Sequence, residues 1–95
     1  MATYQFWIVE IVASEKVINK IADADHGHLT LSDVQSAVAL KPDLEGRWLA
    51  FDAVRGGRRL MVEGIAGSGK TLRVILGSVD IDNGVWNLRT AYRIH

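Results

Sequence analysis

The chain contains no cysteine, which excludes disulfides and thiolate metal sites. It has a single proline, Pro42, and no low-complexity or linker segment. No apolar run approaches the roughly 20 residues that a membrane-spanning helix needs. The stretch from Tyr4 to Ile11 lacks the charged start and the cleavage site of a signal peptide. A cytoplasmic protein with no membrane partner is the expectation. Net charge is absent too: eleven basic residues balance eleven acidic ones.

That balance hides an asymmetry. Residues 1–46 hold three basic and seven acidic side chains, whereas residues 47–95 hold eight basic and four acidic ones. An uneven distribution of this kind permits an anionic partner on the basic half. With 95 residues, of which 48% are hydrophobic, the chain is long enough for one domain (1–95) with a modest core.

Hydrophobic periodicity divides the chain. Residues Tyr4 to Ile11 are aromatic and β-branched and predict a first strand. Ser14 offers a helix N-cap ahead of Val17, Ile18 and Ile21, which fall on one helical face. Gly27 can take the left-handed conformation that ends a helix. Ser32 and Gln35 have the spacing of a capping box at the start of a second helix, with Val34, Ala37 and Val38 as its apolar face and Pro42 as its stop. From Arg47 the pattern becomes that of strands: Arg47 to Val54, Arg59 to Ile65, Leu72 to Leu76, and Val85 to His95 after an Asn83-Gly84 turn. The expected fold is α+β in the order β-α-α-β-β-β-β, with two short helices on one face of a mainly antiparallel sheet.

Gly64 to Thr71 match the phosphate-binding pattern G-x-x-x-x-G-K-S/T at every fixed position. The chemistry of that motif needs a strand before the loop, a helix after it and a parallel sheet around both. Here β-branched and apolar residues flank a Gly-Ser-Gly-Lys turn, so the segment predicts a hairpin. Nucleotide binding stays as a minor alternative, and it requires Lys70 and Thr71 to sit at a helix N-terminus.

The string from His26 to Val38, with its His-Gly, apolar, Ser/Thr, helix order, resembles a passage of the BrnT-type toxins in the RelE-like ribonuclease superfamily. Gly46 to Phe51 and Gly57 to Val62 are similar to the central strands of that family, and Arg89-Thr90-Ala91-Tyr92-Arg93 to its final signature. The resemblance implies a metal-independent endoribonuclease without a cofactor. It also implies neutralisation by a cognate antitoxin, often a ribbon-helix-helix protein. Such an enzyme drives a ribose 2′-OH against the adjacent phosphate, which takes a base, an acid and a cation on the phosphorane oxygens. This chain departs from the family in its neutral charge and in carrying Tyr92 where many relatives have arginine.

Strict alternation along the last strand puts Trp86, Leu88, Thr90, Tyr92 and Ile94 on one face and Arg89, Ala91, Arg93 and His95 on the other. On that reading Arg93 contacts phosphate, Arg89 assists it, and His95 supplies acid or base. His26 is a further catalytic candidate through the family passage, and Tyr92 is a proton donor or stacking group if it is not core. Arg47, Arg58 and Arg59 are candidates for holding RNA backbone. His26 and His28 flank Gly27 and point different ways, which makes them a poor metal pair. The competing class is a non-catalytic interaction module with Trp7, Trp48 or Trp86 as exposed anchors. The two differ in whether basic and titratable groups converge in one concave site.

Overall fold

A computed structural model describes residues 7–41, 44–49 and 58–94. The chain order is β1 (Glu10–Val12), α1 (Glu15–Ile21), a 3-10 turn (Ala24–His26), α2 (Leu31–Val38), β2 (Gly46–Leu49), β3 (Arg59–Ile65), β4 (Thr71–Asp80) and β5 (Val85–Arg93). The five strands form one sheet in the order β1-β5-β4-β3-β2. Three neighbouring pairs are antiparallel and β1 runs parallel to β5. The helical section of 15–38 lies in the acidic half of the chain, and four of the five strands lie in the basic half.

Local chemistry explains the helix boundaries. The Ser14 hydroxyl accepts from the Val17 N–H and starts α1 as expected. The capping box of α2 sits two residues earlier than the Ser32/Gln35 spacing predicts: Thr30 Oγ1 accepts from Asp33 N–H, and the Asp33 carboxylate accepts from Thr30 N–H. Starting there buries Val34, Ala37 and Val38, the apolar face named from periodicity. Between the helices Gly27 adopts φ +97°, and His28 follows it into the left-handed region at φ +55°.

Among the described residues the first strand begins at Glu10, after residues 7–9 of the expected run, and continues to Val12. Residues 7–9 are held by single tethers instead of a ladder: Trp86 Nε1 donates to Trp7 O at 2.7 Å and Val9 N–H donates to Gly84 O at 2.9 Å. Residues 1–6 lie outside the described segments, as do residues 50–54 of the expected second strand. The Asn83-Gly84 turn is a four-residue loop from Ile81 to Gly84, with Gly84 at φ +70° and Asp80 accepting from Asn83.

The phosphate-loop match is a hairpin. β3 ends at Ile65, β4 begins at Thr71, and Ala66 N–H donates to Lys70 O at 2.8 Å across the tip. Lys70 and Thr71 therefore stand at the start of a strand, which removes the helix N-terminus that nucleotide binding required.

The core lies between the helices and one face of the sheet. Ile21, Val34 and Val38 pack with Leu60, Val62, Leu72, Val74, Leu76, Trp86 and Leu88, all essentially without exposure. Gly64 lets α2 approach: a Cβ there would stand 2.2 Å from the Ala37 carbonyl oxygen. Ion pairs are absent from this interior, since no buried residue among those described is polar or charged.

Candidate functional site on the helix-free face

One irregularity decides where the candidate residues go. Leu76 pairs with Leu88 but Ile75 pairs with Thr90, so Arg89 is an extra residue in β5. Past this bulge the alternation shifts by one. Ala91 enters the core at 0% exposure, opposite Val74, while Tyr92 crosses to the other face, opposite Arg73. Arg93 pairs with Leu72 and so moves to the helix-covered face. The expected row of Arg89, Ala91, Arg93 and His95 does not exist: Arg89 and Arg93 stand on opposite faces, Ala91 is core, and His95 lies outside the described residues.

The helix-free face collects the other half of the list. Registers place Arg47 beside Met61 and Arg59 beside Gly77, with Arg73 between Glu63 and Tyr92. Arg89 lies across Gly77, where a Cβ would stand 2.6 Å from its Nε and 3.1 Å from its Cζ. That glycine is what permits the guanidinium to lie flat on β4, and no hydrogen-bond partner among the described residues reaches the buried Nε. Four arginines, 47, 59, 73 and 89, thus surround the apolar pair Met61 and Ile75.

Arg73 is the centre of this face, and it is a residue that the motif-based reading did not select. Its Nη2 and Nε donate to Glu63 Oε1 at 2.8 and 3.0 Å, and its Nη1 donates to Tyr92 Oη at 3.4 Å. The guanidinium also stands 5.8 Å from the Tyr92 ring centre. The Tyr92 hydroxyl and the Glu63 carboxylate hold Arg73 above the ordinary guanidinium range, the shorter contacts being those to Glu63. More than a third of each side chain in the Arg73–Glu63 pair still faces water, with exposures of 35% and 42%. A depression of about 340 Å³ opens beside it, lined by Glu45, Gly46, Arg47, Met61, Glu63 and Arg73. The sequence signal for Arg73 was available: it occupies the alternate position of β4 to Leu72, Val74 and Leu76.

The remaining candidates lie elsewhere. Arg58 is stacked on the Trp48 ring at 4.1 Å, and Trp48 in turn packs on the core residue Trp86 at 5.7 Å. Trp7 is the one tryptophan of the three with large exposure, at 48%. His26 ends the 3-10 turn that Asp23 caps, and its Nδ1 meets Asp23 Oδ1 at 3.0 Å. That hydrogen bond holds the Asp23 carboxyl below its usual range. His28 turns its Nδ1 to Ala22 O at 3.2 Å. Among the described residues no three His, Asp or Glu side chains gather closely enough to hold a metal ion. No described helix is long and apolar enough to cross a membrane.

Comparison with protein-family models, with curated proteins and with solved structures yields no match.

Proposed function

We propose that this protein is a toxin-like, metal-independent endoribonuclease of the BrnT/RelE kind, and that its chemistry resides on the helix-free face. The single observation that carries the reading is the cross-strand row Glu63–Arg73–Tyr92. Cleavage through the 2′-OH needs a base, a cation on the phosphorane oxygens and an acid, in that spatial order. The row supplies a carboxylate, a guanidinium and a phenol on three adjacent strands, so that base and acid flank the cation. Glu63 takes the 2′-OH proton as that oxygen attacks phosphorus. Arg73 neutralises the charge that builds on the non-bridging oxygens, and Tyr92 gives its proton to the departing 5′-oxygen. The products are a 2′,3′-cyclic phosphate and a free 5′-OH. Arg47, Arg59 and Arg89 surround the row as backbone contacts, and arginine suits that role because its planar fork fits phosphate.

The proposed partners are RNA and a cognate antitoxin, in that family often of the ribbon-helix-helix type, both implied by the resemblance. The test is incubation of purified protein with a ribo-oligonucleotide and its 2′-deoxy counterpart, with a chelator present. Cleavage of the first alone, leaving cyclic-phosphate ends, is the expected result. An intact ribo-oligonucleotide across many sequences would overturn the reading. In that event the exposed Trp7, Val9 and Val12 favour a protein-binding module on the same fold.

A further inference from the structure

Lys70 fits the phosphate-binding pattern but stands in a hairpin, and the Glu63–Arg73–Tyr92 row does not use it. Its position is nevertheless specific. The ammonium reaches the carbonyl oxygens of Gly27 and His28, each at 3.4 Å. These are neutral acceptors at the long end of hydrogen bonding, and among the described residues no carboxylate pairs with it. Gly27 and His28 both hold left-handed backbone, and for His28 this is a strained conformation that surrounding contacts must maintain.

A second cation meets the same glycine. Arg93 lies directly under Gly27: a Cβ at position 27 would stand 2.7 Å from Arg93 Cβ and 3.6 Å from its Cδ. The stem is therefore pinned while the residue stays exposed. Among the described residues no hydrogen bond or ion pair holds its guanidinium. The ladder places the two residues on adjacent strands near one end of the sheet, since Arg93 pairs with Leu72, two residues past Lys70, and Ile94 N–H donates to Thr71 O at 2.9 Å. Ser36 anchors the hairpin tip from the other side by accepting from Gly67 N–H at 3.0 Å. Two unneutralised cations thus share Gly27 as a common contact on a tip fastened to both neighbouring elements.

We propose that Lys70 and Arg93 form a phosphate-binding site at the tip of the β3–β4 hairpin, beside the last residue of β5 and on the helix-covered side. Its ligand is a phosphoryl group, either a backbone phosphate of single-stranded RNA or the terminal phosphate of a free nucleotide. The backbone source rests on the ribonuclease reading: Tyr92 and Arg93 are adjacent on opposite faces, so a strand leaving the Tyr92 side passes round the hairpin end onto the two cations. Lysine acts here as a point charge, without the backbone cradle of a true phosphate loop.

The experiment uses a 2′-O-methyl oligonucleotide, which cannot be cleaved, so that binding is read independently of catalysis. Affinity is measured against salt for wild type, Lys70→Ala, Arg93→Ala and the charge-preserving Lys70→Arg and Arg93→Lys. Amide chemical shifts of Gly27, His28 and Lys70 are followed with the oligonucleotide, with a nucleoside monophosphate and with inorganic phosphate. The expected result is about a tenfold loss of oligonucleotide affinity for each alanine variant, a salt slope shallower by about 0.7, and recovery in Lys70→Arg and Arg93→Lys. Saturable shifts with the small phosphates, matched by competition, assign the site to a terminal phosphate instead. Those shifts in a protein that neither binds nor cleaves RNA sink the ribonuclease reading and keep the site. Folded alanine variants with unchanged affinity and slope, together with silent amides in all three titrations, overturn the site itself. If Lys70→Ala unfolds, Arg93→Ala and the wild-type shifts still decide the matter, because Arg93 is exposed.

Discussion

The two faces of the sheet are built on the same three long strands, β3, β4 and β5, but do different work. The helix-covered face holds Leu60, Val62, Leu72, Val74, Leu76, Trp86 and Leu88, all at 0–1% exposure. The helix-free face holds Arg47, Arg59, Glu63, Arg73, Arg89 and Tyr92, each exposed or half-buried. Burial of apolar area drives folding on the first face. The second has too little of it, and its charged groups remain hydrated enough to meet a ligand. Stability and chemistry are thereby separated by one peptide plane, and substitutions one residue apart should act on different properties.

The largest separation is expected between a core residue of β5 and a helix-free-face residue of β4. Trp86→Ala removes a fully buried indole and should lower unfolding free energy by about 3–5 kcal/mol. Denaturant titration checks this, and a loss below 1 kcal/mol would contradict the core assignment. Arg73→Ala should do the opposite: little change in stability, because a half-exposed ion pair contributes about 0–1 kcal/mol, but a loss of about 10²–10³ in cleavage rate. Gly77→Ala tests the bulge side of the same face. The new methyl displaces the Arg89 guanidinium, and RNA affinity should fall about tenfold, the loss of one charge-assisted contact of about 1.5 kcal/mol. A binding assay that finds no change would mean that Arg89 is not a ligand contact.

The smallest effect concerns acid stability. Asp23 has a folded pKa below its ordinary value because His26 hydrogen-bonds its carboxylate. A depressed carboxylate contributes stability above its unfolded pKa of about 3.9, and that contribution is lost as pH falls through the folded value. Asp23→Asn should therefore flatten the melting temperature profile below about pH 4 and leave it unchanged in shape above. Because Asp23 is exposed, the difference should be small, and a variant whose profile below pH 4 matches wild type would contradict the assignment.

Much of the fold is legible in the residues. Ser14 announces α1, Val34, Ala37 and Val38 identify the face of α2, and the run Arg59 to Ile65 marks β3 to the residue. The glycines around Lys70 read correctly as a turn once the missing downstream helix is considered. The site was less legible because it depends on a single inserted residue. Strict alternation carried through Arg89 puts Tyr92 in the core and Arg93 beside Arg89, and the bulge reverses both. A signal for it exists in the spacing: Trp86 and Leu88 are two apart, and the next residue small and apolar enough for the core is Ala91, three further on. The polar pair Arg89-Thr90 fills the gap. The parallel pairing of β1 with β5 has no local signature, since Glu10 to Val12 would sit equally well on an antiparallel edge. The α2 cap moved from Ser32 to Thr30 because aspartate at position 33 completes a reciprocal box with Thr30, which glutamine at position 35 does not do with Ser32.

The most direct test of the account is the single-turnover rate of ribo-oligonucleotide cleavage at saturating RNA, measured for wild type, Arg73→Ala and Arg93→Ala. The account predicts that Arg73→Ala loses at least about a hundredfold while Arg93→Ala, once saturated, keeps a rate close to wild type. A wild-type rate in Arg73→Ala, or a collapse confined to Arg93→Ala, would contradict it and return the chemistry to the helix-covered side of the sheet.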